Sequence, residues 1–133
     1  MIDEGLVTYL QANVPTIAGR VHASKLPPSP VFPCLTYFEV SHVPDNTHDG
    51  FSGLTVSRFQ VTSWTAGVRS GGTDYAGAKT LAAEVETALN AFRGLMGTTQ
   101  VDSCFAVGGG ADFYDAEPDL WQVSRDFMIA YHP

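Results

Sequence analysis

The chain has 133 residues, of which 44% are hydrophobic and 16% are charged, and this apolar content suffices for one compact core. Its formal net charge is −7, which argues against nucleic-acid binding through counterion release and against docking on an anionic membrane. No apolar run reaches the roughly 18 residues that a membrane span needs, and the first residues are acidic where a signal peptide is basic. We therefore expect one soluble domain over residues 1–133, with no membrane association.

Two cysteines, Cys34 and Cys104, lie far apart in the sequence and lack the close spacing of a metal or redox motif. Each falls inside a run that is typical of a β-strand. We therefore expect two buried, reduced thiols in a protein that is made in a reducing cytoplasm.

The first half of the chain predicts a helix, an extended connection and two strands. Apolar residues at helical spacing over residues 3–14 predict a short amphipathic helix. The proline-rich segment 15–33 predicts an extended surface connection. β-branched and aromatic residues predict strands over residues 34–43 and 54–65, and the turn residues between them predict a long hairpin loop around residues 44–53.

The second half predicts the longest helix and two further strands. Residues 73–92 carry an apolar stripe on one helical face. This stripe contains Leu81, Val85 and Leu89. We expect it to pack on the sheet face that carries Phe59, Val61, Val123 and Phe127. Alternating residues predict strands over residues 100–107 and 120–131.

The predicted order is helix, strand, strand, helix, strand, strand, with a hairpin on each side of the long helix. This order predicts an α+β fold, with a mostly antiparallel sheet of about four strands and both the long helix and the short N-terminal helix on one face. No repeat and no shift in composition indicates a second domain.

No pattern in the chain predicts a catalytic centre or a cofactor site. The four histidines lie in or beside predicted loops or at the terminus, and no nucleophile elbow accompanies them. One predicted loop concentrates four carboxylates, those of Asp112, Asp115, Glu117 and Asp119. These carboxylates lack the ligand spacing of a helix-loop-helix calcium site. We expect a solvated loop, and the alternative is a small ligand- or metal-binding module, or an enzyme, that uses residues 112–119.

Several short segments together resemble the tail-completion or tail-terminator proteins of long-tailed phages and gene transfer agents. The matching segments are GRV at 19–21, PVFPCLTY at 30–37, DGFSGL at 49–54, RFQVTSW at 58–64, AKTLAAEVETALN at 78–90 and YDAEPDLWQVSRDF at 114–127. They cover nearly the whole chain in the order found in that family. Arg125 departs from the pattern, because an apolar residue is expected there, and this indicates a subunit contact or a kink in the strand.

The resemblance implies a structural virion protein with no catalytic activity and no cofactor. Such proteins form a ring, typically of six subunits, that caps the head-proximal end of the tail tube and stops its polymerisation. The implied partners are further copies of the chain, the tail tube protein and the head-tail connector or stopper protein. DNA passes through the ring without specific binding. The implied location is the neck region of the virion tail, after assembly in the host cytoplasm.

In such a ring, the long loop and exposed aromatic side chains are candidates for subunit contacts, because aromatic residues are enriched at interface centres. The candidate subunit or tube interface consists of His48, Asp49, Phe51, Trp64, Arg69 and Arg125. The candidate acidic channel or interface loop consists of Asp112, Asp115, Glu117 and Asp119. The candidate countercharges for this loop are Arg58, Arg69 and Arg93 of a neighbouring subunit.

Overall fold

Seven strands and two helices make up the protein, whose computed structural model describes all residues from 1 to 133. The helices are α1 (Ile2–Asn13) and α2 (Tyr75–Leu89). The strands are β1 (Val21–Ala23), β2 (Cys34–Thr47), β3 (Gly50–Ala66), β4 (Phe92–Met96), β5 (Thr99–Val107), β6 (Asp112–Asp115) and β7 (Leu120–His132). Strands hold 49% of the residues, so the protein is mostly β.

All seven strands belong to one curled, mixed sheet. Their order is β1-β2-β3-β7-β5-β4, and β6 lies beside the start of β7. Every neighbouring pair is antiparallel except β1 and β2, which run parallel. Both helices pack on the same side, so the sheet has a helix-covered face and a helix-free face.

The helix-covered face holds the main core, a cluster of 18 buried residues. Residues directly opposite one another on antiparallel strands share a face, so Phe59 and its partner Phe127 both point toward the helices. Leu81, Val85 and Leu89 of α2 are buried in the same cluster. The predicted packing of this helical stripe is confirmed for Phe59, Val61 and Phe127. Val123 packs instead in a separate small cluster with Ala78 and Ala82 of the same helix.

Local interactions determine where α2 begins and ends. The Asp74 carboxylate accepts a hydrogen bond from the backbone N–H of Gly77 at 3.1 Å, which caps the first turn. The helix ends at Leu89, earlier than predicted, because Asn90 adopts an extended conformation. The Asn90 side chain accepts a hydrogen bond from the backbone N–H of Ala106 and so ties the helix end to β5.

The first helix lies against β4 at a contact that has no room for a side chain. A Cβ on Gly5 would lie 2.2 Å from the carbonyl oxygen of Met96, so the two backbones touch directly. One turn later, the Tyr9 ring packs on Phe92 with 4.4 Å between centroids, and its hydroxyl donates to the carbonyl of Ala88 in α2. Neither helix has the length and apolar character to cross a membrane.

The predicted sheet of about four antiparallel strands with a long helix is wrong. Three further strands exist, and one of them, β1, adds a parallel pair. β1, β4 and β6 contain three, five and four residues, which is too short for an alternating pattern to identify a strand. The main helix has 15 residues, so neither helix dominates the fold.

The long loop expected around residues 44–53 is a paired ribbon. Cross-strand pairs extend as far as Thr47 and Gly50, so only His48 and Asp49 form the turn. Asp, Asn, Pro and Gly favour loops, but an edge strand with irregular register tolerates them. Register shifts within this hairpin accommodate these residues without ending the strand.

Both cysteines are buried and unpaired, as predicted. Burial raises the pKa of Cys34 to about 11 and that of Cys104 to about 12. Both thiols therefore stay protonated at neutral pH, and a protonated thiol is a poor nucleophile.

The substitution Leu89→Ala tests the packing of α2, because Leu89 is fully buried. We expect the free energy of unfolding to fall by about 2 to 5 kcal/mol, since the change removes buried methyl groups and leaves a cavity. Denaturation in urea measures this loss. The matched control is Leu95→Ala, since Leu95 is 63% exposed and its truncation should change stability by less than about 0.5 kcal/mol. Equal effects of the two substitutions would contradict the assigned packing.

Candidate assembly surfaces

The β2–β3 hairpin extends beyond the rest of the sheet. The last pair between β3 and β7 joins Thr55 to Tyr131, whereas β3 continues to Gly50 with β2 as its partner. We call residues 44–54, the part beyond that last pair, the arm. Every residue from 38 to 52 is exposed. The arm brings together three of the candidate interface residues, namely His48, Asp49 and the 51% exposed Phe51.

One histidine ties the base of the arm to the body of the protein. His132 Nδ1 lies 2.7 Å from the carbonyl oxygen of Gly53, and its Nε2 lies 2.9 Å from a carboxylate oxygen of Asp102. The Gly53 carbonyl, together with Asp102, raises the pKa of His132, because both groups accept hydrogen bonds from the protonated ring. This contact holds the hairpin where it leaves the sheet.

The arm carries carboxylates and neither lysine nor arginine. No Lys or Arg occurs between Lys25 and Arg58, and the exposed residues Asp45 and Asp49 lie within the arm. Phe51 adds an exposed aromatic ring. A complementary surface must therefore supply cationic and apolar groups.

The helix-free face carries exposed apolar side chains that the sequence analysis missed. Phe38 on β2 is 41% exposed, Leu95 on β4 is 63% exposed and Phe105 on β5 is 51% exposed. Each of these residues is next in sequence to a buried core residue, so the alternation of a strand places it on the opposite face. Their position next to a buried residue in the alternating pattern of a strand is the sequence signal that could have identified these exposed side chains.

The helix-free face also carries a partly buried ion pair that the sequence does not predict. Asp126 is 5% exposed, and its carboxylate accepts hydrogen bonds from Arg58 Nε at 2.8 Å and from Gln60 Nε2 at 3.0 Å. Arg58 also donates to the carbonyl of Gly108. Arg58, a candidate countercharge for a neighbouring subunit, thus has a partner within its own chain.

The acidic residues 112–119 do not form the solvated loop that the sequence predicted, since the first four of them form strand β6. Asp112 accepts hydrogen bonds from Lys79 Nζ at 3.0 Å, from Arg125 Nη1 at 2.9 Å and from the Tyr75 hydroxyl. The Tyr75 hydroxyl and the Arg125 guanidinium hold the pKa of Asp112 well below its usual range. Cations of α2 and β7 therefore offset this charge within the chain.

Asp119 also has its partners within the chain. It accepts a hydrogen bond from the Tyr114 hydroxyl, and Arg69 Nε lies 3.9 Å from the same carboxylate. The Tyr114 hydroxyl contributes most to lowering the pKa of Asp119. Asp115 accepts a backbone hydrogen bond from Glu117 at 3.2 Å, and neither of these two residues has a basic partner.

The other candidate interface residues lie far from the arm in the fold. Trp64 is half-buried at the opposite end of β3, and its Nε1 donates to the Thr36 hydroxyl at 2.8 Å. Arg69 donates to the carbonyl of Ala116 at 2.6 Å, and Arg125 contacts Asp112. The structure thus brings His48, Asp49 and Phe51 together and does not place Trp64, Arg69 or Arg125 beside them.

A pocket of about 470 Å³ lies between α2, the end of β3 and the turn before α2. Its lining includes Thr65, Ser70 and Thr73 and none of the four histidines. Its one carboxylate, that of Glu84, accepts a hydrogen bond from Thr16 at 2.7 Å. No three His, Cys, Asp or Glu side chains are grouped so that they could hold a metal ion.

The substitution Asp112→Asn tests the charge cluster that joins β6 to α2 and β7. At pH 7 we expect a loss of about 1 kcal/mol in the free energy of unfolding, because the amide cannot form the ion pairs. Asp112 has a lowered pKa in the folded state, so its contribution is complete well above the ordinary carboxyl pKa of 3.8 and is lost progressively as the pH falls from there through the lowered pKa. Thermal denaturation from pH 7 to pH 3 should show the difference between the two proteins beginning to narrow below about pH 4. Asp115→Asn is the control, and convergence of the same size in that variant would contradict the assignment.

Comparisons with known proteins identify the family. The family model described as tail completion protein gp17 matches residues 7–132. A chain in a solved structure of the virion of a native gene transfer agent particle matches with a TM-score of 0.69 and 17% identity, covering 94% of this chain and 90% of that one. At this identity the structural match shows a shared fold. In a separate comparison, no curated protein sequence matches significantly. The resemblance seen in the sequence is confirmed: the chain belongs to the tail completion protein gp17 family and is a structural protein of the phage tail.

Proposed function

We propose that this chain is a tail terminator subunit. In this proposal, six copies form a ring that caps the head-proximal end of the tail tube, stops its growth and joins it to the head-tail connector or stopper protein. The ring lies in the neck of the virion after assembly in the host cytoplasm. The proposal includes no catalytic step, no cofactor and no membrane.

The observation that carries this proposal is the arm. Two paired strands project from the sheet with all residues from 38 to 52 exposed. A two-stranded ribbon is marginally stable in water without a third strand or a packed face. An exposed aromatic residue such as Phe51 is typical of the centre of a protein interface. Both features fit an element that becomes ordered and stable on contact with another subunit or with the tube.

The charge distribution fits a ring through which DNA passes. Four of the seven basic residues, Arg58, Arg69, Lys79 and Arg125, form ion pairs within the chain. The remaining surface is therefore strongly acidic, and such a surface repels the phosphate backbone. We assign Asp115 and Glu117 to the bore, because these two members of the acidic run have no basic partner within the chain.

Shortening the arm in register tests this proposal. Deleting Asn46, Thr47, Gly50 and Phe51 removes two cross-strand pairs and keeps His48 and Asp49 as the turn. We expect a folded monomer with an unchanged melting temperature, because no buried residue is lost. In cells that carry only this variant, electron microscopy should show tube growth that is no longer stopped and tails that are not joined to heads.

The matched point variants are Phe51→Ser in the arm and Phe113→Ser on β6, since both rings are more than half exposed. Only Phe51→Ser should lower the yield of complete particles. A reconstruction of the neck provides the direct test. Complete particles at normal yield with the shortened arm, or density for this chain away from the head-proximal end of the tube, would contradict the proposal.

A further inference from the structure

We propose that the arm of each subunit docks on the next copy of the chain, at a stripe formed by Arg93, Leu95 and Phe105. This inference rests on the ring proposed above and goes further, because it assigns both sides of the subunit contact. The stripe runs along the β4–β5 hairpin, and we call it the β4–β5 stripe.

The β4–β5 stripe has the apolar character of a contact surface. Leu95 is 63% exposed and Phe105 is 51% exposed. Their sequence neighbours Met96 and Cys104 are fully buried, so both exposed side chains belong to the helix-free face. An exposed leucine and phenylalanine on one hairpin fit the aromatic ring of Phe51 and the valine that precedes the arm, Val43, which is 59% exposed.

Charge complementarity points to the same pairing. Arg58, Arg69, Lys79 and Arg125 have acidic partners, and Arg20 donates to the carbonyl of Pro33. Arg93 and Lys25 are the remaining basic residues, and neither has an acidic partner in its own chain. The arm presents Asp45 and Asp49 without any lysine or arginine.

Position in the sheet selects Arg93 over Lys25. A ring requires two different surfaces on each subunit, because each copy contacts its two neighbours through different faces. Lys25 follows β1, which pairs with β2, so Lys25 lies at the same edge of the sheet as the arm. Arg93 lies on β4, at the other end of the strand order, and Leu95 and Phe105 flank it on the same hairpin.

Charge reversal across the contact tests this inference. The variants are Arg93→Asp, the arm pair Asp45→Arg with Asp49→Arg, and the combination of all three. Native mass spectrometry and sedimentation measure ring formation by the purified protein, and particle yield measures it in cells. We expect each reversal alone to raise the concentration needed for ring formation by about tenfold, and the combination to restore most of the loss. The defects of the single reversals should also diminish at high salt.

Two controls separate the contact from general effects of charge. Lys25→Asp changes the net charge as Arg93→Asp does and should leave ring formation unchanged. All variants should keep the wild-type melting temperature, because the altered side chains are exposed. Leu95→Ser with Phe105→Ser removes the apolar half of the stripe and should weaken the ring without any dependence on salt.

The outcomes distinguish this inference from the proposed function. If wild-type protein forms a ring that Arg93→Asp leaves unchanged, the docking site is wrong and the terminator role stands. Defective single variants that the combination does not restore also overturn the docking, since the arm then binds a different protein. If wild-type protein forms no ring in solution or in particles, both the terminator ring and the docking fail.

Discussion

The two strands that flank β3 end at different points along it, and this difference leaves one part of the sheet without a third strand. β7 follows β3 only as far as Thr55, whereas β2 follows it to the end at Gly50. The extra residues pair with one another, but no third strand completes the ribbon. The body is stabilised by its buried core, whereas the arm has neither a third strand nor a packed face. A packed body with one uncovered hairpin suits a protein that functions by binding other subunits.

Most of the lysine and arginine side chains pair with carboxylates of the same copy, whereas the sequence offers them for pairs between subunits. The sequence predicts that the acidic run and the arginines are available for contacts between subunits, but Asp112 binds Lys79 and Arg125, and Asp126 binds Arg58. These pairs join strands and helix within one copy. Because these pairs use most of the basic side chains, the ratio of negative to positive side chains that remain unpaired on the surface is higher than the composition alone suggests. Arg93 is one of the few basic side chains without a carboxylate partner.

Sequence periodicity predicted the parts of this fold that are long and half-buried. α2 and the strands around Phe59 and Phe127 were identified because their apolar residues repeat over ten or more positions. β1, β4 and β6 were missed because three to five residues contain too few repeats to identify a strand. The residue types in the arm favour turns, so the sequence predicts a loop where the structure has paired strands. The partners of Asp112 could not be predicted, since Tyr75 and Arg125 lie on other elements and contact Asp112 only in the folded chain.

The free edges of the sheet are poor templates for pairing with further strands. At one end, α1 covers β4, where Gly5 rests on the backbone of Met96. At the other end, β1 covers β2 only from Leu35 to Tyr37 and leaves the rest of that edge free. Register shifts after Glu39 and Pro44 interrupt this edge, and an interrupted edge is a poor template for continuous strand addition. In the proposed ring, copies therefore join through side chains, and such a head-to-tail contact forms a ring because its repeated rotation closes instead of continuing as a filament.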